Sequence, residues 1–277
     1  MQIAVIGCGW LGMPLAISLQ KSGHDIVATC RSEQKAEKLT KLGFDAHKYQ
    51  LGDKLAHNHF DKLFASKVLV LNIPVGRTTP TTENFAKHMQ VLLKHAADKQ
   101  IQNLIFISTT SVYGDNSGVV TEQSPTPAQT PSGRINLAVE VLAKQYFAGR
   151  STVIRPAGLV GKDRHPAHFL AGKTGLLNPD NKVNLVHQAD VVCAIQTVIE
   201  QGVWGQTLHL SALEHPTRSE YYTWAADKLS LSAPKFVKGE GVALGKQIDA
   251  TRSLQLLGLS LKYPSPFDMI GLGHNNE

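Results

Sequence analysis

The chain has 277 residues and a formal charge of +6, with 42% of its residues hydrophobic and 18% charged; its mean hydropathy is −0.12 and its pI is near 9.2. That length allows one full domain with a smaller one attached, and the ordinary apolar fraction excludes a mainly disordered chain. No apolar run approaches the ~20 residues that cross a bilayer, and the scattered basic residues argue against nucleic acid and for a small ligand carrying phosphates.

Met1-Gln2 leads directly into Ile3-Ala4-Val5-Ile6 with no basic leader or cleavage site, so a cytoplasmic protein is expected. Apolar, β-rich runs predict strands at Ile3 to Ile6, Ile26 to Cys30, Val68 to Ile73, Leu104 to Ser108, Thr152 to Ile154 and Thr207 to Leu210, with a weaker one from Phe44 to Tyr49. Between them lie helical stripes: Leu11, Leu15 and Leu19; Phe85, Met89, Leu92 and Ala96; Leu137 and Val141; Val191, Ile195, Val198 and Ile199. The alternation predicts an α/β protein with a Rossmann-type, doubly wound parallel sheet covered by helices. Turn residues at Thr78 to Thr82, Ser124 to Ser132 and Pro264 to Pro266 mark surface loops.

After Gly158 the alternation fails. Residues 1–160 and 189–212 are expected to form the dinucleotide-binding domain, and 161–188 with 213–277 a smaller substrate-binding region. Cys8, Cys30 and Cys193 lie in apolar stretches without close spacing, and are read as buried reduced thiols.

Gly7-Cys8-Gly9-Trp10-Leu11-Gly12 follows the first strand and opens the first helix, the context that gives a Gly-x-Gly-x-x-Gly spacing its meaning. The first glycine permits the turn, the second lets backbone approach a pyrophosphate, and the third lets helix and strand pack closely. At the end of the second strand, where a carboxylate would hold the ribose 2'-hydroxyl of NAD, the chain reads Thr29-Cys30-Arg31-Ser32. Arg31 can pair with a 2'-phosphate and Ser32 can donate to it, which favours NADP(H) and leaves NAD(H) open; the plainer reading of Arg31 is a solvated strand end. Asn72 and Pro74, where the Val68 to Ile73 run ends, are counted with the cofactor contacts.

Three further stretches carry a family resemblance: Ile107-Ser108-Thr109-Thr110-Ser111-Val112-Tyr113-Gly114, Arg155-Pro156-Ala157-Gly158, and Val183 to Asp190. With the glycine turn they resemble the extended short-chain dehydrogenase/reductases, the NAD-dependent epimerase/dehydratase group, and within it an atypical, YeeZ-type branch. The resemblance implies that Thr109 hydrogen-bonds the reacting oxygen of a substrate; a strand-end threonine satisfying backbone groups is the alternative. It also implies a Tyr-x-x-x-Lys pair on the next helix, but Ser132 and Asn136 stand at those positions and neither moves a proton near neutral pH unaided. Asn136 retains the ability to bind ribose hydroxyls. A substitute acid would have to come from Tyr113 or from His165, His168 or His187.

Arg164, His165 and Lys173 crowd a loop suited to an anionic substrate. His165-Pro166-Ala167-His168 has no thiol or carboxylate partners to complete a metal site, so no metal is expected. Asp190 reads as a helix cap. The partners expected are a small anionic substrate and, through exposed helix faces, a second copy of the chain. Two functions fit: an NADP(H)-dependent oxidoreductase or epimerase/dehydratase-like enzyme on a carbonyl compound or sugar, and a catalytically silent NADP(H) sensor.

Overall fold

The computed structural model describes residues 1–55, 60–75, 84–99, 101–237 and 245–270; the turn cluster at 78–82 lies outside them. Its first half runs β1 (Gln2–Ile6), α1 (Gly12–Lys21), β2 (Asp25–Cys30), α2 (Glu33–Lys41), β3 (Asp45–Lys48), α3 (Asp61–Phe64), β4 (Val68–Leu71), α4 (Phe85–Asp98) and β5 (Asn103–Ile107). A 3-10 turn (Thr110–Tyr113) follows, then β6 (Gly118–Val120), α5 (Pro131–Tyr146), β7 (Ser151–Pro156), β8 (Gly158–Val160), α6 (Ala167–Leu170), β9 (Leu185–His187), α7 (Gln188–Gln201) and β10 (Thr207–Leu210). The chain continues through α8 (Arg218–Lys228), β11 (Lys246–Ile248) and α9 (Thr251–Leu257).

Seven strands form one sheet in the order β10-β7-β5-β4-β1-β2-β3. Ile3 pairs in parallel with Ile26 on one side and Val68 on the other, so the chain builds outward from β1 in both directions. The reversal between β1 and β4 opens a crevice at the carboxyl ends of the strands, the place where doubly wound sheets bind dinucleotides. Ile3 through Ile6 and Val68 through Leu71 are each at most 1% exposed, because parallel strands covered on both faces must be apolar throughout. The weak signal near Phe44 has a matching cause: β3 is the edge strand, with Asp45, Ala46 and His47 only partly buried.

The chain divides into two compact units. The first comprises 1–112, 128–155 and 192–208, and the second 113–127, 156–191 and 209–277. Segment 113–127 groups with the second unit, whereas the sequence pattern assigned it to the first. Tyr113 bonds to His209, and Ser253 to Glu122, within that unit. The second unit has its own core around Val160, Leu185, Tyr221, Ala225 and Tyr263, with two small parallel ladders, β8 with β9 and β6 with β11. Such three-residue ladders carry almost no periodic signal in the sequence.

Three sequence expectations change. Cys193 is exposed rather than buried, since α7 turns Val191, Ala194, Ile195 and Val198 inward. Asp190 does not cap its helix: its carboxylate accepts from the amides of Lys262 at 2.7 Å and Tyr263 at 3.2 Å, tying the C-terminal segment to α7. On α5 the stripe Leu137/Val141 is not the core face. Val141 is 59% exposed, and the buried face is Gly133, Asn136, Val139, Glu140 and Ala143.

Burial of a carboxylate there requires partners. Glu140 accepts from both Nε and Nη2 of Arg155, at 3.0 and 2.5 Å, and from the Ser108 hydroxyl at 2.5 Å. Both ionic side chains are within 5% of complete burial. One carboxylate therefore joins the middle of α5 to the ends of β5 and β7. Removing one member leaves a buried charge uncompensated: Glu140→Ala should cost about 3–5 kcal/mol in urea unfolding, and adding Arg155→Met should recover much of it.

Candidate functional site

The glycine turn is shaped by its neighbours. Gly7 has φ +95°, and a Cβ on it would run into the Asn72 carbonyl; a Cβ on Gly12 would strike the Gly7 carbonyl. Asn72 also donates through Nδ2 to the Gly7 carbonyl at 3.1 Å, while the Gly7 and Cys8 amides donate to the Oγ1 and carbonyl oxygen of Thr29. The turn is thus clamped between the ends of β4 and β2.

Gly9 differs from these two. A Cβ there would meet only the Gly7 carbonyl oxygen, at 3.9 Å, so nothing in the protein demands glycine. The demand has to come from a ligand that occupies this space, which fits a pyrophosphate lying against the backbone. The Met13 amide bonds to the Gly9 carbonyl, so the winding of α1 starts at Gly9. Amides of the first turn have no carbonyl four residues back and are directed at an anion. Trp10 is half-buried, and Leu11 sends its side chain into the core at 4% exposure, which confines any Leu11 contact with a ligand to its backbone.

At the end of β2, Arg31 is exposed. Ser32 caps α2 by accepting from the Lys35 amide at 3.4 Å, which occupies a lone pair and leaves its hydroxyl proton to donate. Glu33, the next carboxylate in the chain, pairs with Lys48 at 3.5 Å. Asn72 is half-buried and Pro74 exposed. Burial pushes the Cys8 thiol up to about 12, so it stays protonated and inert within the turn.

The end of β5 and the start of α5 meet closely. A Cβ on Gly133 would stand 2.7 Å from the Ser111 carbonyl oxygen and 3.0 Å from Thr130 Oγ1. Thr109 accepts from the Ser111 amide at 3.1 Å and gives its proton to Ser111 Oγ at 3.0 Å. Its hydroxyl is therefore committed, and the loose proton of this pair sits on Ser111. On the helix, Asn136 Nδ2 donates to the Ser132 carbonyl at 2.8 Å and to Ser132 Oγ at 3.4 Å. Ser111 and Gly133 escaped the sequence reading. A serine two residues after a strand-end threonine is a local turn signal, but the close approach at Gly133 is a tertiary fact.

The second unit holds the remaining candidates, and three of them change role. Tyr113 is fully buried, with its hydroxyl 2.5 Å from His209 Nε2. His209 Nδ1 lies 2.8 Å from the Asp249 carbonyl; a carbonyl only accepts, so Nδ1 carries the proton and Nε2 accepts from the phenol. Such a phenol supports the fold and is not a proton donor to a substrate. His165 is also buried: Nδ1 accepts from the Ala167 amide at 3.2 Å, and Nε2 faces the Tyr221 hydroxyl at 2.9 Å. Burial, then the charge of His168, brings its pKa down to about 4. His187 is brought to about 4 by burial and Lys262, with Nδ1 accepting from the Ala189 amide and its ring on Tyr263. Neither imidazole is an acid at pH 7. Arg164, His168 and Lys173 are exposed. Among the described residues no cluster of His, Cys, Asp and Glu could hold a metal ion, and no helix is long and apolar enough to cross a membrane.

Residues 3–209 match the model of the NAD dependent epimerase/dehydratase family. The Escherichia coli (strain K12) protein YeeZ is 35% identical over 272 residues, 97% of this chain and 98% of that one. Among solved structures, UDP-glucuronic acid 4-epimerase from Bacillus cereus in complex with NAD superposes with a TM-score of 0.81 at 19% identity, covering 99% of this chain and 97% of that one. UDP-glucose 4-epimerase from Thermotoga maritima gives 0.80 at 18% identity, covering 98% and 97%.

The two neutral histidines set a pH dependence. An unfolded imidazole titrates near 6.5 and these near 4, so between those values the unfolded chain binds protons that the folded one refuses, and stability falls as pH falls. The loss should be on the order of 1 kcal/mol per histidine given their nearness to the surface. Urea midpoints at pH 7.5, 6.0 and 4.5 measure it, and His165→Asn, which keeps an acceptor for the Ala167 amide, should flatten the slope.

Proposed function

The chain belongs to the NAD-dependent epimerase/dehydratase family, and on that premise we propose that it is an NADP(H)-dependent oxidoreductase or epimerase-like enzyme for a small anionic or nucleotide-linked carbonyl compound or sugar. The observation that carries this reading is the open space over Gly9, which a ligand must fill, beside a β2 end whose Arg31 meets no competing carboxylate. The turn Gly7 to Gly12, including the backbone of Trp10 and Leu11, would hold the pyrophosphate. Arg31 and Ser32 would hold the 2'-phosphate, with Pro74 and Asn136 on the nicotinamide side and Asn72 bracing the turn.

When bound, the dinucleotide supplies hydride exchange. The chain's own residues bind and orient. Thr109 would act through Ser111, whose proton is the one left to hold a substrate oxygen. Arg164 and Lys173 would meet the anionic part of the substrate. UDP-sugars are what the two epimerases named above act on, which supports a nucleotide-linked substrate. Val91 on α4 and Val141 on α5, each about 60% exposed, fit a cytoplasmic homodimer.

A second reading, a catalytically silent NADP(H) sensor, is favoured by the neutral Ser132–Asn136 pair. Turnover separates the two: the enzyme reading expects activity that Thr109→Val abolishes without changing the melting temperature, and the sensor reading expects tight binding with no turnover.

Calorimetric titration tests the cofactor claim shared by both. NADPH should bind about tenfold or more tightly than NADH, and Arg31→Ala should erase that preference. Gly9→Val should abolish binding with little change in melting temperature. Absence of binding by either dinucleotide would overturn the proposal.

A further inference from the structure

Asn136 is a polar side chain 7% exposed, and the orientation of its amide is decided by what surrounds it. The Ser132 carbonyl, 2.8 Å away, only accepts, so the atom facing it must be Nδ2. Both printed contacts of the amide are made by that nitrogen, within its own helix. Among the described residues nothing donates to Oδ1. A buried carbonyl oxygen without a donor is unfavourable, and nearly all such groups in folded proteins find a partner. This one is waiting for an O–H or N–H from outside the chain.

Its position indicates which. α5 packs its first turn against the residues that follow β5, through the Gly133–Ser111 approach. In the sheet β5 is two strands from β1, about 10 Å from the glycine turn. A dinucleotide whose pyrophosphate lies on that turn, with its adenosine toward β2, extends its nicotinamide riboside toward β4 and β5. A ribose hydroxyl is then the donor that reaches Oδ1.

Electrically, Asn136 contributes no charge. The nearest ionic group on its face, Glu140 one turn on, is matched by Arg155. The nicotinamide ring is cationic when oxidised and neutral when reduced, so a fixed cation here would disfavour the oxidised form and a neutral acceptor does not.

We infer that Asn136 holds the nicotinamide-side ribose through its carbonyl oxygen and, being neutral, makes the site accept the oxidised cofactor without the electrostatic penalty that a cation would impose. The inference rests on the NADP(H) reading above and names how that site treats the two redox states.

Calorimetric titration with NADP+ and NADPH, on the whole protein at pH 8 and low salt, provides the test. Asn136→Leu, of similar size but without the acceptor, should weaken both forms about fivefold. The ratio Kd(NADP+)/Kd(NADPH) should rise in Asn136→Lys and fall in Asn136→Asp. For charges roughly 6 Å apart, each step should be at least about threefold even at the dielectric of water. If one charged variant fails to fold, the other with Asn136→Leu still decides. Unchanged affinity in Asn136→Leu, or one ratio across the series, overturns this inference while the cofactor reading stands. Binding of neither form to the unaltered protein overturns both.

Discussion

The carboxylate of Glu140 is the interaction on which the candidate site depends. It lies on the buried face of α5 and receives the guanidinium of Arg155 at the end of β7 and the hydroxyl of Ser108 at the end of β5. A helix against a parallel sheet can rotate or slide when only apolar side chains hold it, because dispersion contacts have little directional preference. A buried ion pair with a third hydrogen bond is directional. It therefore decides which residues of α5 face the ends of the strands: Asn136 one turn before it and Ser132 two turns before it. The same hydroxyl anchors the residue immediately ahead of Thr109.

Around that anchor, the first unit carries a chain of neutral hydrogen bonds where an ionisable pair stands in related proteins. Thr109 is spent on Ser111, and Asn136 on Ser132. Each pair leaves one loose end, a hydroxyl proton on Ser111 and a carbonyl oxygen on Asn136. Such a site can bind and orient oxygen atoms but has no group of its own that exchanges a proton near neutral pH. Any proton transfer accompanying hydride exchange would have to use water or the substrate itself.

The second unit shows how burial removes histidines from chemistry. His165 and His187 each accept from a backbone amide two residues ahead through Nδ1, and each is held neutral mainly by desolvation. Tyr113 and His209 form a buried pair whose direction is set by the Asp249 carbonyl. These groups resemble acid–base candidates in sequence because His and Tyr are the residues that do such work. Their amide and carbonyl partners make them parts of the fold instead.

The sequence by itself determined the sheet and the place of the cofactor turn. Continuous apolar runs such as Val68 to Leu71 can only be strands covered on both faces, and Gly7, Gly9 and Gly12 directly after β1 imply one kind of turn whatever surrounds it. The absence of Tyr and Lys at Ser132 and Asn136 was equally legible, since it needs only spacing. Tertiary structure alone decided which face of α5 is buried. Leu137 and Val141 looked like the core stripe because hydropathy favours them, but one buried Glu140 matched by Arg155, fifteen residues away on another element, turned the helix the other way. Pairing across long sequence separation leaves no periodicity to read. For the same reason Gly133, the commitment of Thr109 to Ser111, and the burial of Tyr113 against His209 became visible only when the chain was folded.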